Sequence, residues 1–289
     1  MKYSRLQQGG GIFLKKLYAV IGDPIAHSMS PAMHNDLFGY YDIDAHYQAL
    51  HVRKGDLQKA VIGLKAIQIS GFNVTVPHKV DILPMLDRLD PLAKAIGAVN
   101  TVVNEGGELV GYNTDGEGSV KGIMNIIPDL PYRRILIVGA GGAARAIYFT
   151  LASMGIKNID VTNRTSEKAA ELIAQCPYTV NSSVLLREEA EEGLGKYDII
   201  IQTTSIGMAP DVECQPLSLH NLRENSFVSD IIYNPLETLF LRAAKENGAR
   251  TQNGIDMFVL QGALAFKKWT GIFPDQKRME KLVLNRLGG

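Results

Sequence analysis

Short apolar runs alternate with longer stretches of helical composition in the first part of the chain. The runs at residues 18–22, 45–52 and 71–76 are separated by helical stretches at residues 30–40 and about 55–69. Runs of this length that are rich in β-branched residues are typical of buried strands. The pattern therefore predicts a β-α-β-α-β unit.

Local signals add further elements to this unit. Ser30 precedes Pro31, which predicts a helix that begins with a hydroxyl N-cap and a proline in its first turn. Pro77 predicts the start of another helix. The runs at residues 98–104 and 108–112 predict a hairpin around a Glu-Gly-Gly turn.

A second α/β unit is predicted from residue 135 onward. Its strands are expected at residues 135–138, 159–162, 198–202 and 227–231. A helix of about twelve residues follows the first strand and ends near Gly155, because glycine is a common helix stop. Further helices are predicted at residues 166–175, 236–247, 255–269 and 276–287.

The turn after residue 138 carries the pattern G-x-G-x-x-G/A. Gly139 allows a tight turn, Gly141 lets the backbone approach a pyrophosphate, and the small Ala144 lets the helix pack on the strand. Strand, glycine turn, helix and strand follow in the order that a dinucleotide site requires. The predicted cofactor-binding residues of this turn are Gly139, Ala140, Gly141, Gly142 and Ala143. A plain glycine-rich turn is the alternative.

The tip of the next strand favours NADP over NAD. An NAD-binding unit places Asp or Glu there to bind the ribose 2′-hydroxyl. Here the tip consists of Asn163, Arg164 and Thr165, and the nearest acid, Asp160, lies inside the strand. An arginine at this position can pair with a 2′-phosphate and stack on the adenine. The alternative is a solvated arginine in a turn.

Bulk composition narrows the class of protein. The length of 289 residues suggests two domains, and Lys+Arg and Asp+Glu both number 30, so net charge favours neither nucleic acid nor an anionic membrane as a partner. The two cysteines, Cys176 and Cys214, lack metal-ligand spacing, which predicts no metal site and fits a reducing cytoplasm. Residues 1–16 lack the apolar core of a signal peptide and are expected to form a disordered polar extension without an assigned function.

Polar side chains cluster where the third strand of the first unit is expected to end. Asn73 and Thr75 are two residues apart and therefore project to one face, near the strand end where open α/β sheets bind ligands. Lys79 follows at the predicted start of a helix, where a cation gains nothing from the helix dipole. A solvated and a functional lysine are both open on these grounds. Asn100 and Asp115 are equally ambiguous, since Asp115 also suits a turn or a cap.

Several motifs in a fixed order resemble the shikimate dehydrogenase family. They are His-Ser-Met-Ser-Pro at 27–31, Asn-Val-Thr-Val-Pro-His-Lys at 73–79, Gly-Ala-Val-Asn-Thr at 97–101, Asn-Thr-Asp-Gly at 113–116, the glycine turn at 139–143, Asn-Arg-Thr at 163–165, Thr-Ser-Ile-Gly-Met at 204–208, and Gln261. The resemblance covers residues 17–269. It implies an oxidoreductase that reversibly reduces 3-dehydroshikimate to shikimate with NADPH, in aromatic amino-acid biosynthesis.

The resemblance also implies roles for individual residues. Lys79 and Asp115 match the catalytic pair, in which the lysine stabilises charge on the ketone oxygen and donates a proton. The residues that match substrate-binding positions are Ser28, Ser30, Asn73, Thr75, Asn100, Tyr233 and Gln261. The further residues that match cofactor-binding positions are Thr204, Met208, Gly254 and Met257. Met257 also fits an ordinary core methionine, and no role is assigned to His27, His34 or His78.

The expected architecture is two α/β domains with a cleft between them, the second a Rossmann-type NADP-binding domain. Residues 17–118 together with 254–289 are assigned to the substrate-binding catalytic domain and residues 119–253 to the NADP-binding domain, with a boundary near residues 116–121. The expected partners are a small-molecule substrate and NADP. The chain is expected to be a monomer or a homodimer.

Two alternative functions remain open. A broader quinate/shikimate dehydrogenase is one, although relatives that accept quinate or NAD usually carry an acid after the arginine at the strand tip, where this chain has Thr165. A non-catalytic NADP-binding regulator is the other. The presence of both Lys79 and Asp115 argues against a regulator, because such a protein needs no proton donor.

Overall fold

The structure is a computed structural model that describes residues 15–288. The extension predicted at residues 1–16 therefore lies outside the described residues except for its last two positions. Of these, Lys16 is already the first residue of a strand, two residues before the strand start that the sequence indicated.

Twelve strands and ten α-helices alternate along the described chain. The strands are β1 (Lys16–Gly22), β2 (Ala45–His51), β3 (Gly71–Val74), β4 (Arg88–Leu89), β5 (Thr101–Glu105), β6 (Glu108–Tyr112), β7 (Ile135–Val138), β8 (Ile159–Thr162), β9 (Val184–Leu185), β10 (Ile199–Gln202), β11 (Phe227–Asp230) and β12 (Arg250–Gln252). The helices are α1 (Ser30–Tyr40), α2 (Leu57–Ala66), α3 (Pro91–Ile96), α4 (Thr114–Ile126), α5 (Gly142–Ser153), α6 (Ser166–Ala174), α7 (Arg187–Glu192), α8 (Leu239–Glu246), α9 (Ile255–Thr270) and α10 (Gln276–Leu287).

These strands form two six-stranded sheets. The first has the order β2-β1-β3-β5-β6-β4, with β1 parallel to β2 and β3, and with the hairpin of β5 and β6 added antiparallel to β3. The second is parallel throughout, with the order β12-β11-β10-β7-β8-β9. Strand order reverses at β7, so a crevice opens at its carboxyl end, where such sheets bind ligands. The predicted α/β class with a Rossmann-type second sheet is confirmed.

Alternate residues of the second sheet enter different apolar layers. Ile135 and Ile137 of β7 pack into one buried cluster, which contains much of α5, while Leu136 and Val138 pack into another, which contains α8 residues. All four side chains are buried. Burial on both faces explains why the parallel strands read as continuous apolar runs instead of alternating patterns.

Helix α4 joins the two sheets and crosses the predicted boundary at residues 116–121 without a break. A Cβ at Gly116 would collide with the carbonyl oxygen of Ala146 on α5. A Cβ at Gly118 would lie 2.7 Å from the backbone nitrogen of Gln261 on α9. The two glycines therefore let α4 approach α5 and α9 at backbone distance.

The helix predicted at residues 30–40, with Pro31 in its first turn, is confirmed as α1. The hydroxyl cap predicted for it and the helix predicted at Pro77 were wrong. Ser30 is the first residue of α1, its side chain makes no cap bond, and it is the Ser28 hydroxyl that accepts a 3.3 Å hydrogen bond from the Ser30 N–H. No α-helix begins at Pro77; residues 75–82 form turns, and β3 ends at Val74, so Thr75 lies just beyond the strand.

Tertiary hydrogen bonds explain why the segment around Lys79 is not helical. The carbonyl of Lys79 accepts a 2.8 Å bond from the N–H of Val99, which leads into β5. The buried His78 ring donates a 2.6 Å bond to the carbonyl of Val52. These contacts hold the turn against two neighbouring strand ends.

Within residues 15–288, no helix is long and apolar enough to cross a membrane.

The core under β2 contains a buried histidine. The His34 ring stacks on Tyr47, with ring centroids 4.5 Å apart, and both ring nitrogens are buried without a hydrogen-bond partner. Burial lowers the pKa of His34 to about 3, because the charged form would lose its hydration.

We expect the free energy of unfolding to depend on pH through His34. The folded state keeps the ring neutral down to about pH 3, whereas the unfolded chain binds a proton near pH 6.5. Proton binding to His34 in the unfolded chain has little effect on the free energy of unfolding above about pH 6.5. As the pH falls it lowers that free energy, by roughly 3 kcal/mol between about pH 7 and pH 4. Urea denaturation at the two pH values measures the loss. His34→Leu should remove most of this pH dependence and His46→Gln, at an exposed position, should preserve it; equal pH dependence in the parent and His34→Leu would contradict the assignment.

Candidate active site

A cavity of about 380 Å³ lies between the two sheets, at the carboxyl ends of β1 and β3. Every residue that the sequence predicts for catalysis or substrate binding lines it: Ser28, Ser30, Asn73, Thr75, Lys79, Asn100, Asp115, Tyr233 and Gln261. Gly254 and Met257, which were predicted for cofactor binding, line the same cavity. The fold thus brings together side chains from distant parts of the chain.

Lys79 and Asp115 form an ion pair at the wall of this cavity. The Lys79 Nζ lies 2.7 Å from Asp115 Oδ2, with side-chain exposures of 32% and 15%. Asp115 occupies the first turn of α4, where the helix dipole favours a negative charge, and Asn113 caps that turn by accepting from the Asp115 N–H at 3.1 Å. The second carboxylate oxygen, Oδ1, accepts a 2.9 Å bond from Asn100 Nδ2. Both oxygens are therefore held, and the ammonium has a fixed position.

The amides of Asn73 and Asn100 are bound mainly by protein groups. Asn73 Nδ2 donates to the carbonyl of Asn100 and to Thr101 Oγ1, both at 3.0 Å. Asn100 Nδ2 donates at 2.9 Å to Thr114 Oγ1 as well as to Asp115. An amide nitrogen carries two hydrogens, so both donors are fully used. Asn73 Oδ1 accepts one bond, from the Tyr47 hydroxyl, and keeps a lone pair for a ligand. Asn100 Oδ1 already accepts from Thr101 Oγ1 and from the Thr114 N–H, so both of its lone pairs are used.

The opposite wall presents hydroxyl and amide groups. Tyr233 packs on Phe258 with ring centroids 5.3 Å apart, and burial raises the pKa of its phenol, which keeps the hydroxyl protonated as a donor. Gln261 Nε2 donates one 2.9 Å bond to the Phe258 carbonyl and retains a second hydrogen. Within the described part of the chain, Lys79 is the only lysine or arginine that lines this cavity. An anionic group bound away from Lys79 would therefore be held by neutral donors.

A second cavity, of about 860 Å³, runs along the glycine turn. The predicted cofactor residues that line it are Gly139, Ala140, Gly141, Asn163, Arg164, Thr165 and Thr204. Gly142 borders a smaller adjoining cavity, whereas Ala143 and Met208 line neither the second cavity nor the adjoining one.

Two cations in the second cavity escaped the sequence reasoning. Lys168 lies in the first turn of α6, three residues after Thr165, and that spacing was a usable signal. Arg187 begins α7, a six-residue helix that the hydrophobic pattern did not predict. Together with Arg164 they make this cavity basic, in contrast to the first.

The glycine turn has the shape that a dinucleotide requires. Gly139 has a φ of +116°, and a Cβ there would lie 2.5 Å from Thr203 Oγ1. A Cβ at Gly141 would meet nothing within 4 Å, which leaves open space beside the backbone. Helix α5 begins at Gly142 without a side-chain cap, so its first N–H groups are available to an anion. The residues present fit NADP, since the helix start offers free N–H groups and Arg164 offers a cation to its phosphates.

No metal site accompanies these cavities within residues 15–288, since no group of three or more His, Cys, Asp or Glu side chains there is arranged to hold an ion.

Three family descriptions match successive parts of the chain. "Shikimate dehydrogenase substrate binding domain" matches residues 20–102. "Shikimate / quinate 5-dehydrogenase" matches residues 123–224, and "Shikimate 5'-dehydrogenase C-terminal domain" matches residues 254–284.

Individual relatives extend this similarity over nearly the whole chain. A shikimate dehydrogenase (NADP(+)) of Bacillus cereus is 59% identical over 277 residues, which cover 96% of this chain and 100% of that protein. A solved shikimate dehydrogenase in complex with NADP+ is 40% identical, with a TM-score of 0.88 over 95% of this chain and 96% of the other. The shikimate 5-dehydrogenase of Thermus thermophilus, solved with NADP(H) and shikimate, is 33% identical, with a TM-score of 0.84 over 93% of this chain and 99% of the other. The chain belongs to the shikimate dehydrogenase family.

Proposed function

We propose that the protein is an NADP-dependent shikimate dehydrogenase, which reversibly reduces 3-dehydroshikimate to shikimate in the pathway to aromatic amino acids. The observation that carries this proposal is the Lys79–Asp115 pair, held at 2.7 Å on the wall of a cavity whose other lining groups are neutral polar or apolar. The direct test is shikimate-dependent reduction of NADP⁺, followed by the absorbance of NADPH, with quinate and NAD⁺ as controls.

The reaction requires a charged group at the ketone oxygen. Reduction adds a hydride to the carbonyl carbon, the π electrons move onto the oxygen, and that oxygen then takes a proton. NADPH supplies the hydride when it is bound. Lys79 is placed to stabilise the developing negative charge and to donate the proton, while Asp115 holds its ammonium in position. In the reverse direction the neutral amine of Lys79 accepts the hydroxyl proton.

We expect Lys79→Ala to lose turnover far more than substrate affinity. The ammonium acts on charge that exists only during the reaction, and such interactions appear in kcat. Loss of general acid catalysis alone lowers kcat by about 10²–10⁴-fold. Steady-state kinetics measure the effect, and Lys65→Ala is a matched control, since Lys65 pairs with Asp87 at the exposed surface. A near-parental kcat in Lys79→Ala would remove this residue from the mechanism.

Uncharged residues that line the first cavity are proposed to bind the substrate. We propose that Ser28, Ser30 and Tyr233 bind the substrate carboxylate. Asn73, Thr75, Asn100 and Gln261 are proposed to bind the ring hydroxyls. Because the Asn73 nitrogen is occupied, a ring hydroxyl would donate to the Asn73 amide oxygen. The role of Asn100 at the ring hydroxyls is proposed on the family resemblance, since protein groups occupy both its nitrogen and its oxygen.

Cofactor binding is proposed along the second cavity. The glycine turn would hold the pyrophosphate, and Asn163, Arg164 and Thr165 would surround the 2′-phosphate. Gly254 and Met257 would lie beside the nicotinamide, since they line the substrate cavity. Roles for Thr204, Ala143 and Met208 are proposed on the family resemblance.

We expect Arg164→Ala to erode the preference for NADP⁺ over NAD⁺. One or two charge-assisted hydrogen bonds to the 2′-phosphate are worth about 1.5–3 kcal/mol each, or roughly 10–100-fold per bond. Lys168 and Arg187 line the same cavity, so part of the preference should remain. The KM for NADP⁺ should rise while NAD⁺ kinetics stay nearly constant.

The matched control for this experiment is Arg223→Ala, because Arg223 pairs with Asp198 outside both cavities. Unchanged discrimination in Arg164→Ala would show that the 2′-phosphate lies elsewhere. Equal kcat/KM for the two cofactors in the parent would refute the assignment of NADP.

A broader quinate/shikimate activity is the second candidate, since one matching family description names both substrates. The ion pair between Lys79 and Asp115 argues against a non-catalytic regulator.

We further propose that residues 17–118 with 254–289 form the substrate domain and that residues 119–253 form the NADP domain. A monomer or homodimer in the cytoplasm is also proposed, where the free Cys176 and Cys214 would stay reduced.

A further inference from the structure

A chain of buried hydrogen bonds runs behind the substrate cavity. It begins at Tyr47 on β2, whose side chain is fully buried and does not line the cavity. The Tyr47 hydroxyl donates a 2.7 Å bond to Asn73 Oδ1. Burial raises the pKa of Tyr47 well above its ordinary value, so the hydroxyl stays protonated and can donate. Tyr47 therefore supports a proposed ring-binding amide from behind the cavity.

Thr101 continues the chain on β5. It lies directly opposite Asn73 in the antiparallel pairing of β3 and β5, and it is fully buried. Its hydroxyl accepts from Asn73 Nδ2 at 3.0 Å and donates to Asn100 Oδ1 at 3.1 Å. Like Tyr47, it does not line the cavity.

Asn100 connects the chain to the ion pair. Its Oδ1 also accepts from the Thr114 N–H at 2.8 Å, and its Nδ2 donates to Asp115 Oδ1 at 2.9 Å. Since Asp115 Oδ2 receives the Lys79 ammonium, the orientation of one amide sets the orientation of the carboxylate. An amide can flip by exchanging its oxygen and nitrogen, and only its hydrogen-bond partners prevent this.

We propose that Tyr47 and Thr101 are positioning residues for this reaction: through Asn73 and Asn100 they lock the carboxylate of Asp115, and hence the ammonium of Lys79, in the reactive geometry. The proposal rests on the proposed function of the same site. These hydrogen bonds do not relay protons to the reaction, because two of their members are amides, which act as neither acid nor base at neutral pH. Its effect is therefore geometric.

The test removes single hydroxyls from residues that do not touch the substrate cavity. Tyr47→Phe keeps the ring that stacks on His34, and Thr101→Val keeps the shape of threonine. Each should lower kcat by roughly 10-fold, since misplacement of a catalytic group by about 1 Å costs up to 10²-fold. The KM for NADP⁺ should stay within about twofold, because no residue of this hydrogen-bond network lines the second cavity.

Two comparisons separate positioning from general stability. Thr101→Ser retains the hydroxyl and should restore most of kcat. Tyr148→Phe deletes the hydroxyl of another buried tyrosine, on α5 and bonded to Ser182 before β9, and should leave kcat unchanged. The double variant of Tyr47→Phe and Thr101→Val should lose less than the product of the single losses, because both act on the same Asn73 amide. Thermal melting of each variant gives the folded fraction to which kcat is referred.

The kcat values of these variants separate a positioning role from a purely structural one. A fall in kcat per folded molecule in Tyr47→Phe and Thr101→Val, with recovery in Thr101→Ser, supports the proposal. Parental kcat per folded molecule in both variants overturns it, as does a loss of the same size in Tyr148→Phe or in Thr101→Ser. A parent that does not oxidise shikimate with NADP⁺ overturns the proposed function itself, whereas an active parent with unaffected variants overturns only the positioning role.

Discussion

The close packing of α4 against α5 and α9 is the constraint on which the candidate active site depends. Gly116 lets the helix touch the backbone of α5, and Gly118 lets it touch the backbone of α9. The first turn of α4 carries Asp115, so the carboxylate is placed relative to the glycine turn before α5 and to Met257 and Gln261 on α9 by one rigid element. A side chain at either glycine would push apart the two halves of the site.

The two cavities differ in the charged residues that line them. The substrate cavity contains one lysine, already paired with Asp115, and otherwise neutral donors and acceptors. The cofactor cavity contains Arg164, Lys168 and Arg187, which suit the several negative charges of NADP. A chain with no net charge thus concentrates cations along the second cavity and leaves a single ammonium on the wall of the first.

Sequence patterns predicted the elements whose register is fixed locally. The boundaries of β7, β8 and α10 agree with the predictions. Short β-branched runs with clear stops specify the two strands. Short elements such as α3 and α7 escaped, since six residues are too few to show a period. All nine residues predicted for the substrate site line one cavity, and the family resemblance supplied that set where residue spacing alone left Lys79 and Asp115 ambiguous.

The remaining features could not be read from the sequence because they depend on contacts between distant residues. Lys79 lies in a turn and not in a helix, because its carbonyl accepts from the Val99 N–H instead of from a helical neighbour. The adjacent His78 ring is bonded to the Val52 carbonyl. Tyr47 lies outside the motifs, and Thr101 ends the motif at 97–101 without an assigned role. Their hydroxyls acquire a role only when three strands bring both of them to the Asn73 side chain. A catalytic pair can be recognised by its residue types, but the rigidity that makes it effective is a property of the network behind it. Buried hydroxyls that touch no ligand are therefore as much a part of the site's specification as the groups that do.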